Sequence, residues 1–141
     1  MMDYHSLFPE TVSALYLDDC RTPQPFPFFN WVIVRSYSAF VSYIRAQGVP
    51  PFISFDHDLA DEHVAIGASL DWKDFDYELC TEATGYDAAK YLADYCLDTD
   101  TIMPHFTVHS ANPAGAENIL HLLNNLQKEQ GQTANGYRTV W

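Results

Sequence analysis

Three short polar clusters in this chain each follow an apolar run: Asp18-Asp19 after SALYL, Asp56-His57-Asp58 after FISF, and His109-Ser110-Ala111-Asn112 after HFTV. Carboxylates, imidazoles and a hydroxyl are the groups that bind cations, move protons and grip phosphate oxygens. Brought together, Asp18, Asp19 and Asp56 would repel unless a proton or a cation intervened, because close carboxylates cannot all ionise cheaply. A hard divalent ion is the natural remedy. All-oxygen ligation suits Mg²⁺ or Mn²⁺, which retain waters and reach substrate phosphates through one or two carboxylates. His57 and His109 also leave open a softer ion such as zinc or iron.

The third cluster adds an anion site. Ser110 can donate its hydroxyl to a phosphoryl oxygen, while Asn112 suits a helix N-cap and Pro113 a first helical position. A helix starting there turns free N–H groups toward the same place. Arg21, two residues past the acid pair, can clamp a second phosphate oxygen. Plainer readings stand beside these: Asp18 and Asp19 as turn formers, Ser110 and Asn112 as caps alone, His109 as an interior histidine, Arg21 as a surface ion-pair former. His5, His63, His105 and His121 show no partner pattern and read as structural or surface residues. The functional reading rests on the coincidence of three strand ends.

Those ends need a sheet to align them. Ser13 to Leu17 reads as a strand, and the Pro-rich CRTPQPFPFFN after it excludes a regular helix. Its length is still enough for the next strand, Trp31 to Val34, to run parallel to the first. Ser36 can cap a helix whose apolar face is Tyr37, Phe40, Val41 and Ile44, ended by Gly48 and Pro50-Pro51. Phe52 to Phe55 is a third strand, and Thr84 can cap a second helix facing the core through Ala88, Tyr91, Leu92 and Tyr95, with Asp98 and Pro104 at its exit. His105 to His109 is a fourth strand. A leucine-rich helix through Ile119, Leu120, Leu122, Leu123 and Leu126 ends near Gly131, and GYRTVW offers a short fifth strand. The expected fold is a single-domain, three-layer α/β structure: an open parallel sheet of four to five strands with helices on both faces. Ligands of such sheets bind outside the carboxyl ends of the strands. The domain spans 1–141 with a core of about 13–130 and an acidic insertion of about 60–83, read as solvated surface or a lid.

Bulk properties narrow the partners. With 141 residues, 48% of them hydrophobic and 15% aromatic, the chain suits one folded domain. A net charge of -12 disfavours broad duplex nucleic-acid or anionic-membrane binding. A small phosphorylated ligand, or an RNA end docked through a bound cation, escapes that objection. Cys20, Cys80 and Cys96 are odd in number without CxxC spacing, which suggests reduced thiols in a cytoplasmic protein. No signal peptide is evident, nor any apolar run of the roughly 20 residues a membrane helix needs.

The order of motifs YLDD, FISFDHDL, TGYDAAKYL and TVHSA resembles response-regulator receiver domains, where an acid pair ends strand one, a phosphoacceptor Asp ends strand three and a Thr or Ser followed by Ala ends strand four. Together DDCRTP, DHDL, TGYD and HSANPAG resemble more specifically the cyclic-phosphate processing receiver-like group, from about Leu15 to Leu126. The resemblance implies Asp56 at the phosphoacceptor position, Asp18 and Asp19 as metal acids and Ser110 as the hydroxyl residue. It also implies a metal-dependent phosphoesterase acting on RNA 2′,3′-cyclic phosphate ends or small cyclic nucleotides. Asp18, Asp19 and Asp56 would hold the metal, while Arg21, Ser110 and Asn112 grip phosphate. His109 or His57 would protonate the leaving oxygen, with Asp58 aligning His57 or joining the metal shell. The pattern departs from receivers in its Pro-rich first connection, its acidic insertion and the absence of the fifth-strand Lys; Lys128 lies in the helix and Arg138 is a loose candidate. The rivals are a receiver-type phosphoacceptor, a non-catalytic pseudo-receiver that binds a partner, and a module that sequesters a nucleotide.

Overall fold

The computed structural model describes residues 12–23, 29–59 and 84–139. Five strands form one all-parallel sheet in the order β2-β1-β3-β4-β5: β1 (Val12–Leu17), β2 (Phe29–Val34), β3 (Phe52–Phe55), β4 (His105–Val108) and β5 (Tyr137–Arg138). Among the described residues three helices connect them: α1 (Tyr37–Gln47), α2 (Gly85–Thr99) and α3 (Pro113–Glu129). This is the receiver-like, flavodoxin-like α/β order.

Local chemistry sets each boundary. The Ser36 side chain accepts from Ala39 N to start α1, and Gly48, at φ +81°, ends it in a conformation side chains resist. Thr84 and Asp87 form a reciprocal capping box at α2, whose far end closes on Asp100 in the left-handed region. Asn112 caps α3 with Pro113 in its first turn.

Along the strands, alternate residues divide between the two faces. Leu15, Leu17, Ile53, Phe55, Phe106 and Val108 share one core with Phe40 and Ile44 of α1, Leu92 of α2, and Ile119 and Leu123 of α3. All three helices therefore pack on one face. The second helical layer expected from the sequence would fall outside the described residues, as does the acidic insertion. On the opposite face Phe29, Trp31, Phe52 and Tyr16 form a chain of ring contacts, with buried Ser54 and Thr107 beside them. None of the described helices is long and apolar enough to cross a membrane.

Register places the site. Leu17 pairs with Val34 and Phe55, and Phe55 with Val108, so β2, β1, β3 and β4 end level with one another. The residues that follow, Asp18, Asp56 and His109, continue the ladder: Asp18 N donates to Val34 O, Asp56 N to Leu17 O, and His109 N to Phe55 O. Strand order reverses between β1 and β3, and Asp18 and Asp56 flank that switch point.

Candidate active site at the carboxyl edge of the sheet

Asp18 is fully buried and its carboxylate is fully engaged. Oδ1 accepts from Cys20 N at 3.0 Å and Arg21 N at 2.8 Å, which folds the DDCR turn; Oδ2 accepts from Arg21 Nε at 2.8 Å and His109 Nε2 at 2.9 Å. Burial alone would push this carboxyl up, but the two backbone donors and the Arg21 charge outweigh it and bring it down to about 2. Asp56, 5% exposed, draws a backbone hydrogen bond from His57 in place of the set around Asp18. Burial and the nearby Asp18 charge push it up to about 6, with Arg21 opposing and Asp19 adding to the rise.

His109 lies between these acids and the sheet. Its ring stacks on Tyr16 with centroids 4.3 Å apart and planes 3° from parallel, and its Nδ1 is 2.6 Å from Ser54 Oγ. Burial pushes the imidazole down to about 4 against the pull of Asp18, so it is neutral near pH 7. Arg21 ties the group together, standing 3.5 Å from Asp56 Oδ1 and donating to His109 O at 3.2 Å.

The second half of the site lies on the loop after Asp56. His57 Nδ1 pairs with Asp58 Oδ1 at 2.8 Å, and Asn112 Nδ2 donates to the same Asp58 oxygen at 3.3 Å. Two glycines let the helices approach. A Cβ on Gly85 would come within 1.7 Å of Asp56 O, and one on Gly115 within 2.3 Å of the His57 ring. The glycines of TGYD and NPAG thus allow α2 and α3 to abut the Asp56–Asp58 loop.

The expected site residues fall as follows. Asp18, Asp56 and His109 bring ligand atoms within 4.8 Å of one another, a set of two carboxylates and one imidazole that suits a divalent ion. The Asp18–Asp56 repulsion favours positive charge between the two acids, and the Arg21 guanidinium beside both already supplies part of it. Asp19 lies outside that trio but groups with Asp18 and Cys20. His57, Asp58 and Asn112 form their own cluster. Ser110 is buried, and its Oγ accepts from Asn112 N at 3.0 Å, the bond of a local cap.

Two contributors escaped the sequence reading, and a third entered it only loosely. Ser54 partners His109, and its signal is a lone polar residue inside an apolar strand. Arg35 NH1 donates to Arg21 O at 2.6 Å and Asp18 O at 3.3 Å, holding the DDCR turn, for which no spacing rule gives warning. Arg138, only a loose candidate in the sequence, donates through Nε and NH2 to Ser110 O at 3.2 and 3.1 Å.

Fold and site together define a receiver-type domain with its acids at the ends of β1 and β3. The model of the cyclic-phosphate processing Receiver domain matches residues 13–125, and the chain belongs to that family. No curated protein and no solved structure matches it.

Proposed function

We propose that the chain is a metal-dependent phosphoesterase that opens a cyclic phosphate, on an RNA end or in a small nucleotide. The observation that carries this reading is the meeting of Asp18, Asp56 and His109 within 4.8 Å, next to a separate His57–Asp58 pair. Asp18, Asp56 and His109 would hold Mg²⁺ or Mn²⁺, with Asp19 beside them. Such an ion, when bound, neutralises phosphate charge and makes water a better nucleophile.

The chain's own groups divide the remaining work. Arg21 and Asn112, with the hydroxyl of Ser110, orient the phosphate. Asp58 accepts from His57 Nδ1–H and so leaves His57 Nε2 to exchange a proton with substrate. In the reaction a water oxygen bonds to phosphorus, one ring P–O bond breaks, the leaving oxygen takes the proton from His57 Nε2, the proton the water gives up returns to His57, and a phosphomonoester results. Compared with the sequence expectation, this gives proton transfer to His57 alone, because both nitrogens of His109 are already engaged.

The test is incubation with 2′,3′-cyclic nucleotides and Mg²⁺ or Mn²⁺, following monoester release. The reading requires metal-dependent release, abolished in Asp18→Asn and slowed about 10²–10⁴-fold in His57→Gln. If acetyl phosphate instead leaves a stable adduct on Asp56 and no cyclic nucleotide turns over, the chain is a phosphoacceptor and the reading fails.

A further inference from the structure

The stretch from Gly131 to Thr139 is attached to the fold differently from β3 and β4. Those strands each bury three of their four residues, but none of residues 131–139 is buried, and Tyr137 is 54% exposed. Polar bonds take the place of an apolar anchor. Asn124 and Gln127, three residues apart and so on one side of α3, grip consecutive residues of the stretch. Asn135 N donates to Gln127 Oε1 at 3.0 Å, Gly136 N to Asn124 Oδ1 at 2.9 Å, and Gln127 Nε2 to Asn135 Oδ1 at 2.8 Å. Gln127 is fully buried and also donates to Pro104 O at 3.1 Å. Gly136 lets the chain lie on the Phe106 ring, which a Cβ there would meet within 2.1 Å. Gly131, at φ +78°, is the bend where the stretch leaves α3. At the far end Thr139 N donates to Val108 O, and Arg138 holds Ser110 O.

We infer that residues 131–139 are a latch: they undock from α3 and β4 as one unit, turning at Gly131, and their docked state holds the Ser110–Asn112 turn closed. A segment without buried apolar contacts opens at a lower free energy than the core it rests on. Its bonds run in series along one short stretch, so loss of the Gln127 clasp frees Asn135 and, with it, Gly136 and the two-residue strand. Opening withdraws Arg138 from Ser110 O. The coupling is reciprocal, and whatever fixes the turn also favours the docked latch. The use of the latch in catalysis rests on the reading that Ser110 and Asn112 orient a phosphate; the undocking itself does not. Gln127 is thus a positioning residue for a turn about 20 Å away along α3.

Amide hydrogen exchange of the intact chain, resolved by residue in ¹H–¹⁵N spectra, tests it. In wild type the N–H groups of Asn135, Gly136 and Thr139 should share one protection factor, about tenfold or more below that of His109 N–H, which bonds Phe55 O between β4 and β3. Gln127→Leu removes the clasp while filling its buried space. It should lower the protection of all three together by about tenfold or more, and lower that of Asn112 N–H, bonded to Ser110 Oγ, with them. His109 N–H should stay within about twofold. Arg138→Gln cuts the link instead: Asn112 N–H loses protection while Asn135 and Gly136 stay within about threefold of wild type. Exchange of the three amides only together with His109, in global unfolding, overturns the latch. Acceleration of the three without Asn112 N–H overturns its hold on the turn. Asn124→Ala, at a half-buried position, gives the same comparison where Gln127→Leu does not fold. The measurement uses no substrate, so a lack of phosphoesterase activity would overturn the proposed function and leave the latch standing.

Discussion

Asp18 and Asp56 stand on neighbouring strands yet hold protons very differently, about 2 against about 6, because one carboxylate is surrounded by donors and the other by burial and like charge. The consequence for stability can be worked out. Asp56 binds its proton more tightly folded than unfolded, so its share of stability falls as pH rises from about 4 to about 6. His109, held down to about 4, does the reverse: the unfolded chain takes up its proton first, and stability rises with pH between about 4 and 6.5. The two slopes oppose each other over nearly the same window. Replacing Asp56 by Asn removes the falling one. Asp56→Asn should therefore match wild type near pH 4 and exceed it at pH 7.5 by about 3 kcal/mol. Urea unfolding at the two pH values checks this; an identical difference at both would show that Asp56 does not titrate as described.

The helices deliver function through their first turns. Gly85 N donates to His57 O at 2.7 Å, and the α3 cap Asn112 donates through Nδ2 to Asp58 Oδ1 at 3.3 Å, so both N-termini meet the Asp56–Asp58 loop. The obstacles a side chain would meet differ in kind. At Gly85 the Cβ would strike the backbone carbonyl of Asp56, which cannot move without dislodging the strand end. At Gly115 it would strike the His57 ring, which can rotate away. Gly85→Ala should thus cost about 3 kcal/mol in unfolding free energy. Gly115→Ala should cost about 1 kcal/mol but displace His57, lowering hydrolysis at least tenfold. Equal stability losses with equal activities would contradict the distinction. Most of these elements were legible in the sequence, because apolar runs, Ser36, Thr84 and Asn112 each carry a local signal. Observed β1 and β2 begin earlier than the reading, at Val12 and Phe29, and β4 stops at Val108 rather than His109. His109 still bonds Phe55 O through its backbone N–H, but its side chain is spent on Asp18 and Ser54, and no local pattern announces a partner 91 residues away. The fifth strand is only Tyr137–Arg138, paired with Thr107 and Val108. It is held there by side chains at a distance, Gln127 bonding Asn135 and Asn124 bonding Gly136, rather than by an apolar pattern of its own.

For the molecule entire, a charge of -12 is set against a local gathering of arginines. Arg21, Arg35 and Arg138 all donate to backbone carbonyls at the carboxyl edge of the sheet: His109 O, Asp18 O with Arg21 O, and Ser110 O. That arrangement fixes the strand-end loops and offsets acidity where an anion would dock, leaving the rest of the surface repulsive to polyanions. The central claim is that Asp18, Asp56 and His109 form a cation site and that the His57 loop with the start of α3 forms the phosphate site beside it. A crystal structure with Mn²⁺ and a nucleoside 3′-monophosphate tests this most directly. The expected result is an anomalous peak about 2.1 Å from oxygens of Asp18 and Asp56, with the phosphate between the ion and His57. Mn²⁺ bound elsewhere, with Asp18 still closed on Arg21 and His109, would contradict it.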